Sequence, residues 1–260
     1  MLNIVMKKTG FLRLPALLMM LLIALVVTPC MLYAQPSTIA AENKTDAKGL
    51  KQGFWRKTDK DGKVLYEGQF KNNLPYGEFK YFYPDGKNRT ISQLSDNGNT
   101  AKTISFSPKG YKMAEGTYFK TLKEGEWKYF DETGLLLSSE FYARGKKEGL
   151  AANYYADGKI LEEKHFKNDV QVGPWKQYYT DGTVKTNAVF VNGKIEGLAT
   201  FNYPDGKVMA RGEYVHSFKN GTWTFFKNDG KKEKEDIYDN GDLVKSIYFD
   251  KKLEEEQEKK

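Results

Sequence analysis

From Gly53 onward the apolar and polar positions of the chain fall into a fixed frame of 24 residues. Glycine opens the frame at Gly53, Gly77, Gly125, Gly149, Gly173, Gly197 and Gly221, and Ala101 stands where the missing member falls. A second glycine follows nine residues later in every unit, at Gly62, Gly86, Gly110, Gly134, Gly158, Gly182, Gly206 and Gly230, so the unit at Ala101 is present. A third column, Phe70, Leu94, Tyr118, Tyr142, Phe166, Phe190, Tyr214 and Tyr238, is aromatic in every unit but one. Such periodicity marks an array of supersecondary units that bury their apolar faces on one another.

Within a unit, Gly173-Pro174-Trp175-Lys176-Gln177-Tyr178-Tyr179 is a short aromatic run, and Val184 to Val191 is rich in β-branched residues. Between them stands Thr180-Asp181-Gly182, where Gly reaches positive φ freely and Asp can bond nearby backbone. Val191-Asn192-Gly193-Lys194 turns the chain into the next unit. Each unit therefore predicts one β-hairpin, and eight predict about sixteen antiparallel strands, an elongated all-β meander over residues 53–249. Gly86, Gly158, Gly182 and Gly206 are read as structural turn joints, as in the repeated pentapeptide Tyr-Pro-Asp-Gly-Lys at 83–87 and 203–207.

The position two residues after each unit start reads Trp55, Phe79, Thr103, Trp127, Ala151, Trp175, Ala199, Trp223, large alternating with small from the second unit. Equivalent strands of successive hairpins lie about 10 Å apart, so each indole is expected to lie over a small neighbour in the adjoining hairpin. On this reading Trp55, Trp127, Trp175 and Trp223 are structural. In the pairs Tyr154-Tyr155 and Tyr178-Tyr179 one ring must point to each face. These four and Tyr203 are the candidate binding-face aromatics.

The flanks differ from the array. Lys7, Lys8 and Arg13 lead into an apolar run that ends at Met31-Leu32-Tyr33-Ala34, the layout of a secretory signal peptide over residues 1–34. An uncleaved anchor and lipidation at Cys30 are the alternatives. Export predicts a periplasmic, envelope-associated or secreted protein. Residues 35–52 are polar and read as a flexible linker, and 250–260 as a charged tail. The formal charge is +7, and loss of the three basic leader residues leaves +4. Lysines scattered among acids exclude nucleic acid as a partner and allow only weak contact with a membrane surface.

No catalytic or metal-ligating constellation is found. His165 and His216 have no ligand spacing and read as ordinary strand residues, and adjacent carboxylates such as Glu162-Glu163 point to opposite strand faces. The expectation is a non-enzymatic protein with no cofactor and no metal. The stretches Gly68-Gln69-Phe70 to Gly77-Glu78-Phe79, Gly116-Thr117-Tyr118 to Gly125-Glu126-Trp127 and Gly212-Glu213-Tyr214 to Gly221-Thr222-Trp223 resemble MORN repeats. The pattern resembles more closely the variant found in bacterial YwqK-family antitoxins. That resemblance implies a β-hairpin scaffold that binds proteins and sometimes contacts membranes, and in the antitoxin type one that neutralises a toxin. The composite expectation is an exported scaffold that binds another protein through a sheet face, with antitoxin action or envelope lipid or glycan binding as alternatives.

Overall fold

The computed structural model describes residues 42–249, which are all-β with one short 3-10 turn at Asp96–Gly98 and no α-helix. The predicted signal-peptide helix, the first part of the linker and the charged tail lie outside the described residues. The strands are β1 (Lys44–Thr45), β2 (Lys51–Thr58), β3 (Val64–Lys71), β4 (Leu74–Phe82), β5 (Asn88–Ser95), β6 (Thr100–Phe106), β7 (Lys112–Phe119), β8 (Leu122–Phe130) and β9 (Leu136–Ala143). They continue as β10 (Lys146–Tyr154), β11 (Ile160–Lys167), β12 (Val170–Tyr178), β13 (Val184–Val191), β14 (Lys194–Asn202), β15 (Val208–Val215), β16 (Phe218–Phe226), β17 (Lys232–Asp239) and β18 (Asp242–Tyr248). Each pairs antiparallel with its sequence neighbours in one open meander. β2 to β17 are the eight expected hairpins, and β1 and β18 add a strand at each end.

Residues 42–52, expected to continue the linker, are instead held against the first hairpin. Asn43 N bonds Phe54 O at 3.0 Å, Asp46 accepts from Lys48 N, Leu50 N and the Gln52 amide, and Arg56 pairs with Glu42. Polar composition concealed this because the contacts are hydrogen bonds that satisfy an otherwise open strand edge.

Two turn types alternate. Inside a hairpin, Tyr83 N bonds Lys87 O at 2.8 Å, Gly86 N bonds Tyr83 O at 2.9 Å, and Gly86 takes φ +84°. This is a three-residue loop whose last position demands left-handed backbone. Between hairpins the link is two residues, both at positive φ, as at Asn192 (50°) and Gly193 (80°), which matches the twist of the flanking strands.

The frame-opening glycines lie inside strands rather than at their ends. In six of the seven links the register shifts by two residues where such a glycine sits, for example between Glu67↔Lys80 and Gln69↔Tyr76 around Gly77 at φ +70°. Each is a bulge that needs a residue without a Cβ penalty. At the seventh link Ala101 replaces the glycine, the β5–β6 pairing runs without a shift, and two residues move into the longer connection 96–99.

The sheet is one layer, so its core is the packing of side chains along one face. Trp127 and Trp223 are 2% and 1% exposed, and Ala199 is fully buried. Each ring lies directly over the intervening strand, which at about 4.8 Å is the nearer neighbour, and Trp223 also packs with Ala199, the small residue expected in the adjoining hairpin. Phe79, Trp127 and Trp223 cover Gly68, Gly116 and Gly212 respectively, so closely that a Cβ on Gly116 or Gly212 would stand 2.3 Å from the indole. The indole N–H then donates to the next carbonyl, Trp127 to Thr117 O and Trp223 to Glu213 O. Lys164 stands at the frame position that holds the covered glycine elsewhere, and Trp175 stays half-buried and donates to Glu162 at 2.8 Å.

Candidate binding site

The ring face and the opposite, outer face offer different surfaces. On the ring face, four lysines two residues before a frame position fold over the aromatic rings. Lys123 Nζ lies 4.7, 5.1 and 4.8 Å from the ring centres of Trp127, Tyr129 and Tyr142. Lys219 lies 4.6 and 4.8 Å from those of Trp223 and Tyr238, Lys51 caps Trp55 and Phe70, and Lys147 caps Phe166. These cation–π contacts form a column that glycine and aromatic positions alone do not reveal, although the Lys at 51, 123, 147 and 219 is legible in the frame.

A second buried element of this face is Glu162, which accepts from Trp175, Gln177 and Asn153 and pairs with Lys164 at 2.7 Å. Burial opposes its ionisation, but the bonds from Lys164, Trp175 and Gln177 outweigh it and hold the carboxyl below its ordinary value. Glu140 is governed the same way by burial against Lys147 and Tyr142. A depressed folded pKa gives stability that is present above the unfolded glutamate value and lost as pH falls through the folded one. The thermal midpoint is therefore expected to drop once the pH falls below about 4.3, and more steeply in the native chain than in Glu162→Gln.

The five candidate tyrosines are half-exposed, and their hydroxyls are engaged within the chain. Tyr155, Tyr179 and Tyr203 donate to Tyr178 O, Asn202 O and Phe226 O at 2.6 to 2.8 Å, each reaching the following hairpin. Tyr83 does the same to Phe106 O, and Lys87 and Lys207 add bonds to Pro108 O and Asn228 O. Tyr154 shares a hydrogen bond with Ser139. Tyr178 donates to Glu163, and burial, then that bond, push its phenol up to about 12. The tyrosines are thus stitches between hairpins. Glu162 and Glu163 bond to different faces, as alternation requires. His165 lies in β11, where Nδ1 is 3.1 Å from Pro174 O, whereas His216 occupies a two-residue link at φ +55° rather than a strand.

The outer face carries what those tyrosines do not. Phe141, Leu150, Pro174, Val189 and Leu198 follow one another across β9 to β14, through the pairs Leu150↔His165 and Pro174↔Val189. Phe141, Leu150, Val189 and Leu198 are 44, 38, 42 and 60% exposed. The row spans six strands, about 24 Å, with His165 standing in it at β11. Its members occupy two columns of the frame, one residue after the opening glycine and one before the aromatic column, and both columns carry polar residues such as Glu78, Glu126 and Gln93 in other units.

Residues 123–144, 147–168, 171–192 and 195–216 each match the MORN repeat variant family. No curated protein matches the chain. Every matched stretch begins on the column of Lys123 and Lys147 and ends on the first residue of the two-residue link. Over its fourth to seventh hairpins the chain is therefore similar to the MORN repeat variant, and those hairpins carry the outer apolar row.

Proposed function

We propose that the protein is a non-enzymatic repeat scaffold that binds another protein along the outer face of its sheet. The exposed row from Phe141 to Leu198 supports this reading, since an apolar strip with members on five of six successive strands suits an extended protein surface rather than a small molecule. The leader-like sequence of residues 1–34 supports an exported form, so the partner is sought in the cell envelope. A toxin, the partner that likeness to YwqK-family antitoxins implies, is one case of the same mode.

The test is photocrosslinking from residue 189 of the full chain in intact cells, followed by identification of the adduct. The expected result is one dominant protein adduct, lost in Leu150→Glu/Leu198→Glu while the thermal midpoint holds. Equal crosslinking by that double variant, or no adduct, would overturn the reading. Protection of cells from a captured toxin would identify the antitoxin case.

A further inference from the structure

The third hairpin interrupts the ring face. Where its neighbours carry a ring over a glycine, it carries Thr103 beside Ser92, two buried hydroxyls 2.9 Å apart. The lysine caps are also absent here, because Pro75 and Asn99 occupy those two places in the frame. A cleft of about 650 Å³ results, bounded by Tyr66, Phe79 and Tyr81 on one side and Tyr118 on the other. It spans β3 to β7, about 19 Å, and its volume is that of a ligand site.

We propose that this cleft binds an acidic saccharide, a pyranose ring carrying a carboxylate. The polar groups of the cleft are the first reason. Around Glu162 on this face such groups satisfy one another, Asn153 and Gln177 at Glu162 and Thr186 at Gln177. In the cleft, the hydroxyls of Thr90 and Ser105 and the side-chain amide of Asn99 have no hydrogen-bond partner among the described residues, and none is a buried orphan. They remain available as donors and acceptors to a ligand.

The walls and the charge supply the rest. A sugar ring offers an apolar C–H face to tyrosines and a rim of hydroxyls to a polar floor, the combination found here, whereas a lipid chain would leave that floor unpaired. Arg89 is the one formal charge in the lining, and it has no ion pair among the described residues. Burial, then Tyr66, raises the Tyr81 phenol above its ordinary value while the Arg89 guanidinium pulls against them, which places that charge beside the aromatic wall. An unpaired guanidinium selects a carboxylate.

Saturation-transfer NMR on the full chain tests this with tetragalacturonate, its neutral methyl ester and inorganic phosphate. Tetragalacturonate is expected to bind, the ester more weakly, and phosphate not at all. Arg89→Gln should weaken the acid by about tenfold and leave the ester unchanged. Ser92→Gly/Thr103→Trp, which writes a ring-over-glycine pair into the gap, should abolish saccharide binding while β5 and β6 keep their amide protection. If that variant loses protection, Arg89→Gln decides alone: unchanged discrimination between acid and ester overturns the proposal. So do silence from both saccharides, binding of phosphate alone, undiminished binding in the folded double variant, and displacement of the sugar only by peptides.

Discussion

Gly212→Ala is expected to lower stability by about 3 kcal/mol, at the upper end of overpacking, although it adds a single methyl group. The new Cβ would stand 2.3 Å from Trp223 Cδ2. The indole cannot retreat: Tyr214 and Tyr238 meet it edge-on at 5.0 and 6.5 Å, Phe201 lies 6.0 Å away, and Lys219 covers it. Gly221→Ala is the matched control, because a Cβ there meets nothing within 4 Å and only the φ of +67° is strained, a cost of about 1 kcal/mol. Gly221→Asn should cost less still, since Asn tolerates that region. In a Trp223→Ala background the penalty of Gly212→Ala should largely vanish. Denaturation midpoints of the native chain, the three single glycine variants, Trp223→Ala and its Gly212→Ala double variant check this, and equal effects of the two alanines would show that ring cover does not distinguish the glycines.

Ala199→Trp is the second large effect. Ala199 is fully buried and packs with Ala188 and Trp223, with Trp175, Phe201 and Tyr214 closing around them. An indole there has Ala188 rather than glycine on the strand it would cover, so the variant should lose about 3 kcal/mol. Adding Ala188→Gly should restore part of that loss by recreating the pair seen at Gly212 and Trp223. Neighbours alone couple in such an array, so hydrogen exchange should quicken across β12 to β16 and hardly change in β2 to β5. An unchanged midpoint for Ala199→Trp would sink this account of the ring row.

The period, the hairpins and both turn classes were legible because each rests on local chemistry: glycine and Asn where φ is positive, β-branched and aromatic residues where the chain is extended. The partners of the large residues were not. Gly68, Gly116 and Gly212 share one column with Ser92, Glu140, Lys164, Ala188 and Asp236, so no residue type announces its role, and only strand pairing reveals which ring lies over which position. Tyr155, Tyr179 and Tyr203 looked free because the carbonyls they reach lie in the following hairpin. The cleft could be suspected at Ala101, where the frame degenerates. Its contents required knowing that Thr103 replaces a ring and Asn99 a lysine.

The glycine bulges shift the register by two residues, never one, at six links. Side-chain direction in a strand alternates, so an odd shift in mid-strand would turn the rings beyond it to the outer face, whereas the one-residue shifts of the hairpins fall beside their turns, at the strand ends. An even shift conserves parity, and the link at 96–99 conserves it too by holding the two displaced residues outside the strands. A single-residue deletion within a strand before Trp127 that is not absorbed by its nearest turn would therefore exchange the two faces locally, setting rings where the apolar row belongs. Tolerance to insertions and deletions along this chain should follow an odd–even rule in the strands and be nearly free in the connections.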